Sequence, residues 1–356
     1  MFAAEHMNYL ALKDVCCINM GQSPDSKSYN DSKEGIPFFQ GNADFGERYP
    51  ITRVWCNAPT KIAKKDDILI SVRAPIGALN YAKETCCIGR GLAAITPNKA
   101  KVSTEFIFWL LKGKNNELNR LGTGSTFKAI SKKVLEETKI PDISLEKQIA
   151  CSNTLEKLYS IITHIRTQLE KLDLLVKARF VEMFYDKGYP VLTWNNVFNT
   201  TTGKLDSNAA VKDGAYPFFT CSKEILRIDK FAFDQEALLL AGNNAAGKYD
   251  VKYYKGKFNA YQRTYVLKLK ENWSYQLFRY QLEDKLVYLQ QQSLGGLTKY
   301  LTMKILGELN FIIPPMEKQI EFEQFAMQVD QSKSILQQEL TQTQTLFDSL
   351  MQEYFG

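Results

Sequence analysis

The sequence predicts an α+β protein in which a mixed α+β domain followed by a long helix occurs twice. Three observations predict it. Segments of the first half reappear in order in the second, short apolar runs punctuated by Gly, Pro and Asn fill most of each half, and each half closes on an apolar stripe at helical spacing. Leu12-Lys13-Asp14-Val15 with Gly21 matches Thr193-Trp194-Asn195-Asn196-Val197 with Gly203. Gly35-Ile36-Pro37-Phe38-Phe39 matches Gly214-Ala215-Tyr216-Pro217-Phe218-Phe219. Ile140-Pro141 with Leu145-Glu146-Lys147-Gln148-Ile149 returns as Ile313-Pro314-Pro315-Met316-Glu317-Lys318-Gln319-Ile320.

In chain order this gives a domain over 1–145, a helix over 146–187, a second domain over 188–316 and a second helix over 317–356. The runs 68–72, 94–96, 237–240 and 264–267 are short and apolar and are punctuated by Gly, Pro and Asn, as strands of a mixed α+β domain are. Pro141, Pro314 and Pro315 mark helix starts, because the residue before a proline is pushed out of helical geometry. The first stripe is Leu155, Leu158, Ile162, Ile165, Leu169, Leu172 and Val176, stepping by three and four. The second is Phe322, Phe325, Val329, Leu336, Leu340, Phe347 and Leu350, with Ser332 and Thr343 as weaker points. Most such stripes only pack onto their own domain. A helix of about 40 residues extends about 60 Å, however, farther than one small domain covers, so the two helices are expected to pack on each other as a coiled coil.

Composition narrows the function. The 356 residues suffice for two cores, and 45 Lys and Arg against 39 Asp and Glu leave a net charge of +6, a surplus that favours a polyanionic partner without demanding one. Seven cysteines, including the adjacent pairs Cys16-Cys17 and Cys86-Cys87, form neither a disulfide framework nor a Cys-x-x-Cys pair, so a reducing cytoplasm is expected. No apolar run approaches the ~20 residues of a membrane span, and a soluble, unexported chain without a membrane partner is the expectation.

Catalytic motifs fail one after another. Gly242-Asn243-Asn244-Ala245-Ala246-Gly247-Lys248-Tyr249 nearly spells a phosphate-binding loop, but Tyr249 stands where a small hydroxyl must hold Mg²⁺, and the following residues read as strand. Ile313-Pro314-Pro315-Met316 lacks the polar first residue and the aromatic of a base-flipping methyltransferase loop, and no glycine-rich S-adenosylmethionine loop is present. Pro141-Asp142 has no suitably placed downstream Glu-x-Lys, since Glu137 and Lys139 precede it. His6 and His164 are the only histidines, and His164 falls inside a helix. No catalytic residue, metal site or cofactor is expected.

What remains is a set of Gly-rich loops that mix basic, amide, hydroxyl and aromatic side chains, the types that clamp phosphates and read base edges. Such loops are usually only solvated, but these recur in matching places. The candidates are Gln40, Asn42, Arg73, Arg90, Ser125, Thr126 and Lys128 in the first half. In the second they are Thr220, Ser222, Asn243, Asn244, Tyr261, Arg263, Thr298 and Lys299.

At these residues the chain resembles the specificity subunits of type I restriction-modification enzymes, over nearly its whole length. The likeness lies in Leu121-Gly122-Thr123-Gly124-Ser125-Thr126-Phe127-Lys128-Ala129-Ile130 with Ile140-Pro141 and Glu146-Lys147-Gln148. It extends to Gly35-Ile36-Pro37-Phe38-Phe39-Gln40-Gly41-Asn42, Arg73-Ala74-Pro75-Ile76-Gly77 and Lys257-Phe258-Asn259-Ala260-Tyr261-Gln262-Arg263. The second copy departs from the first at Gly295-Gly296-Leu297-Thr298-Lys299-Tyr300-Leu301. The resemblance implies two target-recognition domains separated by an antiparallel helix pair, with a pseudo-two-fold, each domain reading half of a split site in double-stranded DNA. It also implies two methyltransferase (M) subunits that bring S-adenosylmethionine and restriction (R) subunits that bring ATP hydrolysis, with no chemistry on this chain. A specificity module of another modification or phage-defence complex stays open as the alternative. A self-sufficient enzyme and a coiled-coil scaffold are the competing classes.

Overall fold

The computed structural model describes residues 8–124, 128–245 and 247–356. It divides into two compact units, Met1–Arg166 with Gln337–Gly356, and Thr167–Leu336.

In the first unit, strand Tyr9–Ala11 pairs antiparallel with Lys139–Pro141, which brings the two ends of the globular part together. Strands Cys16–Met20, Leu92–Pro97, Ile68–Ser71 and Leu79–Tyr81 form one sheet in that spatial order. A second sheet runs Tyr29–Asn30, Val54–Cys56, Ile36–Phe39, Cys86–Ile88, Ile62–Ala63, with a parallel pair in which Phe38 faces Cys87 and Phe39 faces Ile88. The apolar face of the first sheet packs on helix Thr104–Gly113, whose Phe106, Trp109 and Leu110 are fully buried.

The second unit repeats the plan. Val191–Thr193 pairs with Asn310–Ile312, and Tyr216–Phe219 runs parallel to Val251–Ala260, with Phe218 opposite Asn259 and Phe219 opposite Ala260. Here one six-stranded sheet, in the order Phe198–Thr202, Thr264–Leu269, Phe233–Ala241, Val251–Ala260, Tyr216–Phe219, Leu226–Ile228, replaces two. The cause is local. The long strand Phe233–Ala241 answers to Ile62–Ala63 plus Ile68–Ser71, which are separated by a tight turn where Asp67 Oδ2 accepts the Lys64 N–H at 2.8 Å and Asp66 takes a left-handed φ of 70°. The matched glycines have one reason in both copies: a Cβ at Gly21 would stand 2.2 Å from Gly89 O, and one at Gly203 would stand 1.7 Å from Ala260 O.

Leu145–Phe184 and Met316–Phe355 are each single helices of 40 residues. Within the first unit their segments run antiparallel: Tyr159 meets Phe347, with ring centroids 6.5 Å apart, and Arg166 donates to Gln344 Oε1. Within the second unit Lys333 pairs with Asp173, and Arg179 pairs with Glu321 at 2.6 Å. Leu155, Ile162, Ile165, Val176, Phe322, Val329 and Phe347 are buried, and Leu158, Leu169, Leu172, Phe325, Leu336, Leu340 and Leu350 are half-buried. Leu155, Ile162 and Phe347 also belong to the core that contains Trp109, so the stripe serves its own domain as well as the neighbouring helix. No helix among the described residues is long and apolar enough to cross a membrane.

Each long helix is fixed to its domain by one buried glutamine. Gln148 Oε1 accepts the N–H of Ser103, the N-cap of Thr104–Gly113, at 2.9 Å, while its Nε2 donates to Ile143 O at 3.0 Å. In the second unit Gln319 Oε1 accepts the N–H of Ser274, the N-cap of Tyr275–Asp284, at 3.0 Å, and Nε2 donates to Pro314 O at 2.8 Å. Alanine at Gln319 strands a buried N–H and a buried carbonyl, at about 1–3 kcal/mol per stranded group, and alanine at Gln148 strands half-buried ones at a smaller cost. Urea unfolding of Gln148→Ala and Gln319→Ala should show a lowered midpoint with an unchanged slope.

A pH dependence follows from Lys112, whose Nζ lies 4.2 Å from the Tyr159 ring centroid. Burial, with Arg48 nearby, pulls its ammonium down to about 8. Between that value and the ordinary 10.5 the unfolded chain holds more protons than the folded one, so stability should rise with pH across this window and gain nothing from Lys112 below it. Thermal unfolding of Lys112→Met from pH 7 to 10 should lack this rise relative to the parent.

Candidate nucleic-acid interface

Four loops of the first domain are drawn together by main-chain hydrogen bonds. Gly89 N donates to Phe39 O at 2.8 Å, Val72 N to Gly91 O at 2.9 Å, Ala74 N to Lys128 O at 3.0 Å, and Ile130 N to Val72 O at 2.9 Å. The loops at 40–42 and 89–91 touch so closely that a Cβ on Gly91 would lie 2.3 Å from Gln40 O. The result is a concavity of about 360 Å³ whose lining includes Gln40, Asn42, Arg73 and Arg90. Asp44 fixes one wall, its Oδ2 accepting the N–H of Gln40 at 2.7 Å. Ser71 Oγ fixes another by donating toward the carbonyls of Arg73 and Pro75, both at 2.8 Å. Gln40, Arg73, Arg90 and Lys128 are exposed, and Asn42 is half-buried. Ser125 and Thr126 lie outside the described residues.

The second domain uses the same frame. Tyr261 N donates to Phe219 O at 2.9 Å, Gly242 N to Arg263 O at 2.9 Å, and Leu301 N to Gly242 O at 2.8 Å. Asn243 and Asn244 pair as a short strand with Tyr300 and Lys299. Thr220 is buried, and its Oγ1 accepts the Ser222 N–H at 3.2 Å, while the exposed Ser222 accepts the Glu224 N–H at 3.1 Å. Asn244 Oδ1 accepts the Lys248 N–H at 3.2 Å. Arg263 and Thr298 are exposed, whereas Tyr261, Asn243, Asn244 and Lys299 are half-buried.

Superposing the two hydrogen-bond schemes equates Gln40 with Thr220, Arg73 with Asn243, Arg90 with Gln262 and Lys128 with Lys299. The register that sets residues 295–301 against 124–130 already pairs the two lysines, whereas Gln262 is absent from the candidate residues. Counting outward from the parallel Phe39 and Phe219 strands finds it. Among the described residues Arg73, Arg90, Lys128, Arg263 and Lys299 form no ion pair with a carboxylate, in contrast to Lys252, which pairs with Asp250. Both loop clusters therefore present cationic side chains outside any ion pair, among amide and hydroxyl groups.

The segment 242–249 departs from a phosphate-binding loop in its surroundings as well as in its last residue. Tyr249 is buried and leads into strand Val251–Ala260, where a phosphate-binding loop needs a helix N-terminus. His164 is exposed on its helix, and no group of three or more His, Cys, Asp or Glu among the described residues is placed to hold a metal.

Comparison with known proteins agrees with this arrangement. The family model for the type I restriction modification DNA specificity domain matches residues 5–173 and 187–343. A Methanocaldococcus jannaschii protein assigned as the MjaX type I restriction enzyme specificity subunit is 47% identical over 156 residues, 44% of this chain and 37% of that protein. The type I restriction enzyme EcoDI specificity subunit of Escherichia coli is 37% identical over 145 residues, 39% of this chain and 31% of the relative, so the matches span well under half the length of these curated relatives. The crystal structure of the type I restriction-modification system S subunit from M. genitalium covers 100% of this chain and 98% of its own, with a TM-score of 0.71 at 15% identity, which establishes a common fold. One family match falls on each copy of the repeat and together they take in most of the residues, which makes this chain a member of the type I restriction modification DNA specificity domain family.

Proposed function

We propose that this chain is the DNA-recognition subunit of a type I restriction-modification complex, acting in the cytoplasm and reading a bipartite double-stranded site with one domain per half-site. One observation carries the reading: the two loop clusters share a backbone frame and a lysine outside any ion pair, yet differ in the other side chains they present. A frame of this kind suits DNA, in which the phosphates of both half-sites are alike and the bases differ. Gln40, Asn42, Arg73, Arg90, Ser125, Thr126 and Lys128 serve one half-site. Thr220, Ser222, Asn243, Asn244, Tyr261, Arg263, Thr298 and Lys299 serve the other.

In this reading the chain carries no chemistry of its own. Two methyltransferase subunits bring S-adenosylmethionine and modify the site, and restriction subunits bring ATP hydrolysis and cleavage. The second unit has a groove of about 580 Å³ lined by Leu172, Leu175, Ile335 and Leu336, with Leu175 and Ile335 about half exposed, which suits the docking of a methyltransferase subunit.

Replacing residues before about Leu145 with those of another family member should change one half of the recognised sequence and leave the other intact. Sequencing of the modified sites in a host that expresses the hybrid with its methyltransferase checks this, and a change in both halves together would sink the one-domain, one-half-site reading. Lys128→Ala and Lys299→Ala should each weaken binding to all duplexes alike and reduce the slope of log affinity against log salt by about 1. Titrations at several salt concentrations measure this slope, and an unchanged affinity and slope would remove both lysines from the interface.

A further inference from the structure

Residues 90 and 262 stand at the same place in the repeated frame, each two residues before a core strand, Leu92–Pro97 in one domain and Thr264–Leu269 in the other. Each is held by the loop that follows the first core strand of its sheet. Ser23 Oγ accepts from both the main-chain N and the Nε of Arg90 at 3.3 Å, which leaves the terminal amino groups of the guanidinium free to face outward. Gln262 N donates to Leu205 O at 2.9 Å, and its Nε2 donates to Asp206 Oδ2 at 3.2 Å. A carboxylate only accepts, so Asp206 decides which way the Gln262 amide lies. Oε1 and the second N–H of the amide are what remain for a ligand.

We propose that this position is a specificity determinant in both domains, with Arg90 reading guanine in one half-site and Gln262 reading adenine in the other. The chemistry is that of the exposed groups. Arg90 presents donors alone, which match the two major-groove acceptors of guanine, O6 and N7. Gln262 presents one donor and one acceptor, which match N7 and N6 of adenine. The equivalent lysines, Lys128 and Lys299, are identical because a point charge on a flexible stem serves a phosphate whatever the base. Asp206 is a positioning residue: it holds the amide in the orientation that adenine requires. This assignment rests on the DNA-recognition role proposed above.

The test offers a pool of random-sequence duplexes to the full chain and sequences those retained, for the parent, Gln262→Arg, Arg90→Gln and Asp206→Ala. The parent should enrich a two-part sequence. Gln262→Arg should exchange adenine for guanine at one position of one half, and Arg90→Gln should make the reverse exchange in the other half, with discrimination at that position shifting by roughly tenfold or more. Asp206→Ala should keep adenine as the preferred base while discriminating less sharply. Both residues are exposed, so the variants should fold as the parent does, and thermal unfolding checks this. Variants that enrich the parent sequence unchanged, or that alter both halves at once, overturn the assignment of residues 90 and 262 while leaving the recognition role intact. A parent that enriches no sequence overturns the recognition role itself, and the assignment with it.

Discussion

A buried amide joins each long helix to its domain, and the rest of each unit is arranged about that joint. Gln148 and Gln319 lie at the end of the first turn of their helices, their own N–H groups bonded to Ser144 O and Pro315 O, so their side chains are free to bond outside the helix. Each reaches sideways to the N-cap of a domain helix and back to a carbonyl of the incoming chain, so three segments are fixed by one side chain.

Charged latches farther along reinforce the joint. In the first unit Arg48 pairs with Glu156 of the long helix while lying about 5 Å from the ring centroids of Phe108, Trp109 and Tyr159. In the second unit Arg279 pairs at 2.6 Å with Asp330 of the other long helix. Burial raises the carboxyl of neighbouring Glu283 above its ordinary range, although Arg279 opposes the shift. The two latches arise from unrelated positions in the repeat, one in a loop and one on a helix, so they are independent solutions to the same mechanical need.

Much of this was legible in the sequence because main-chain constraints leave marks on residue type. Gly21 and Gly203 repeat because a neighbouring carbonyl occupies the space a Cβ would need, and the Pro-Phe-Phe segments repeat because both supply a parallel pairing of a sheet. The three-and-four spacing of the stripes translated directly into buried helix faces. Less legible was the division of the first unit into two sheets, which depends on the turn stabilised by Asp67. The pairing of Arg90 with Gln262 was hidden too, because it is set by hydrogen bonds between loops far apart in sequence and not by local pattern.

The way the loop frame is held has an evolutionary consequence. The bonds that draw its loops together are between main-chain atoms and its closest approaches are made by glycines, so exposed rim side chains that bond no main-chain group, such as Arg73, Lys128 and Arg263, contribute little to folding. Substitutions there are close to neutral for stability, and selection can act on them almost free of epistasis with the core. A duplicated gene of this design can thus diversify one repeat while the other stays unchanged, and new combinations can arise by recombination within the helices without any loop having to refold.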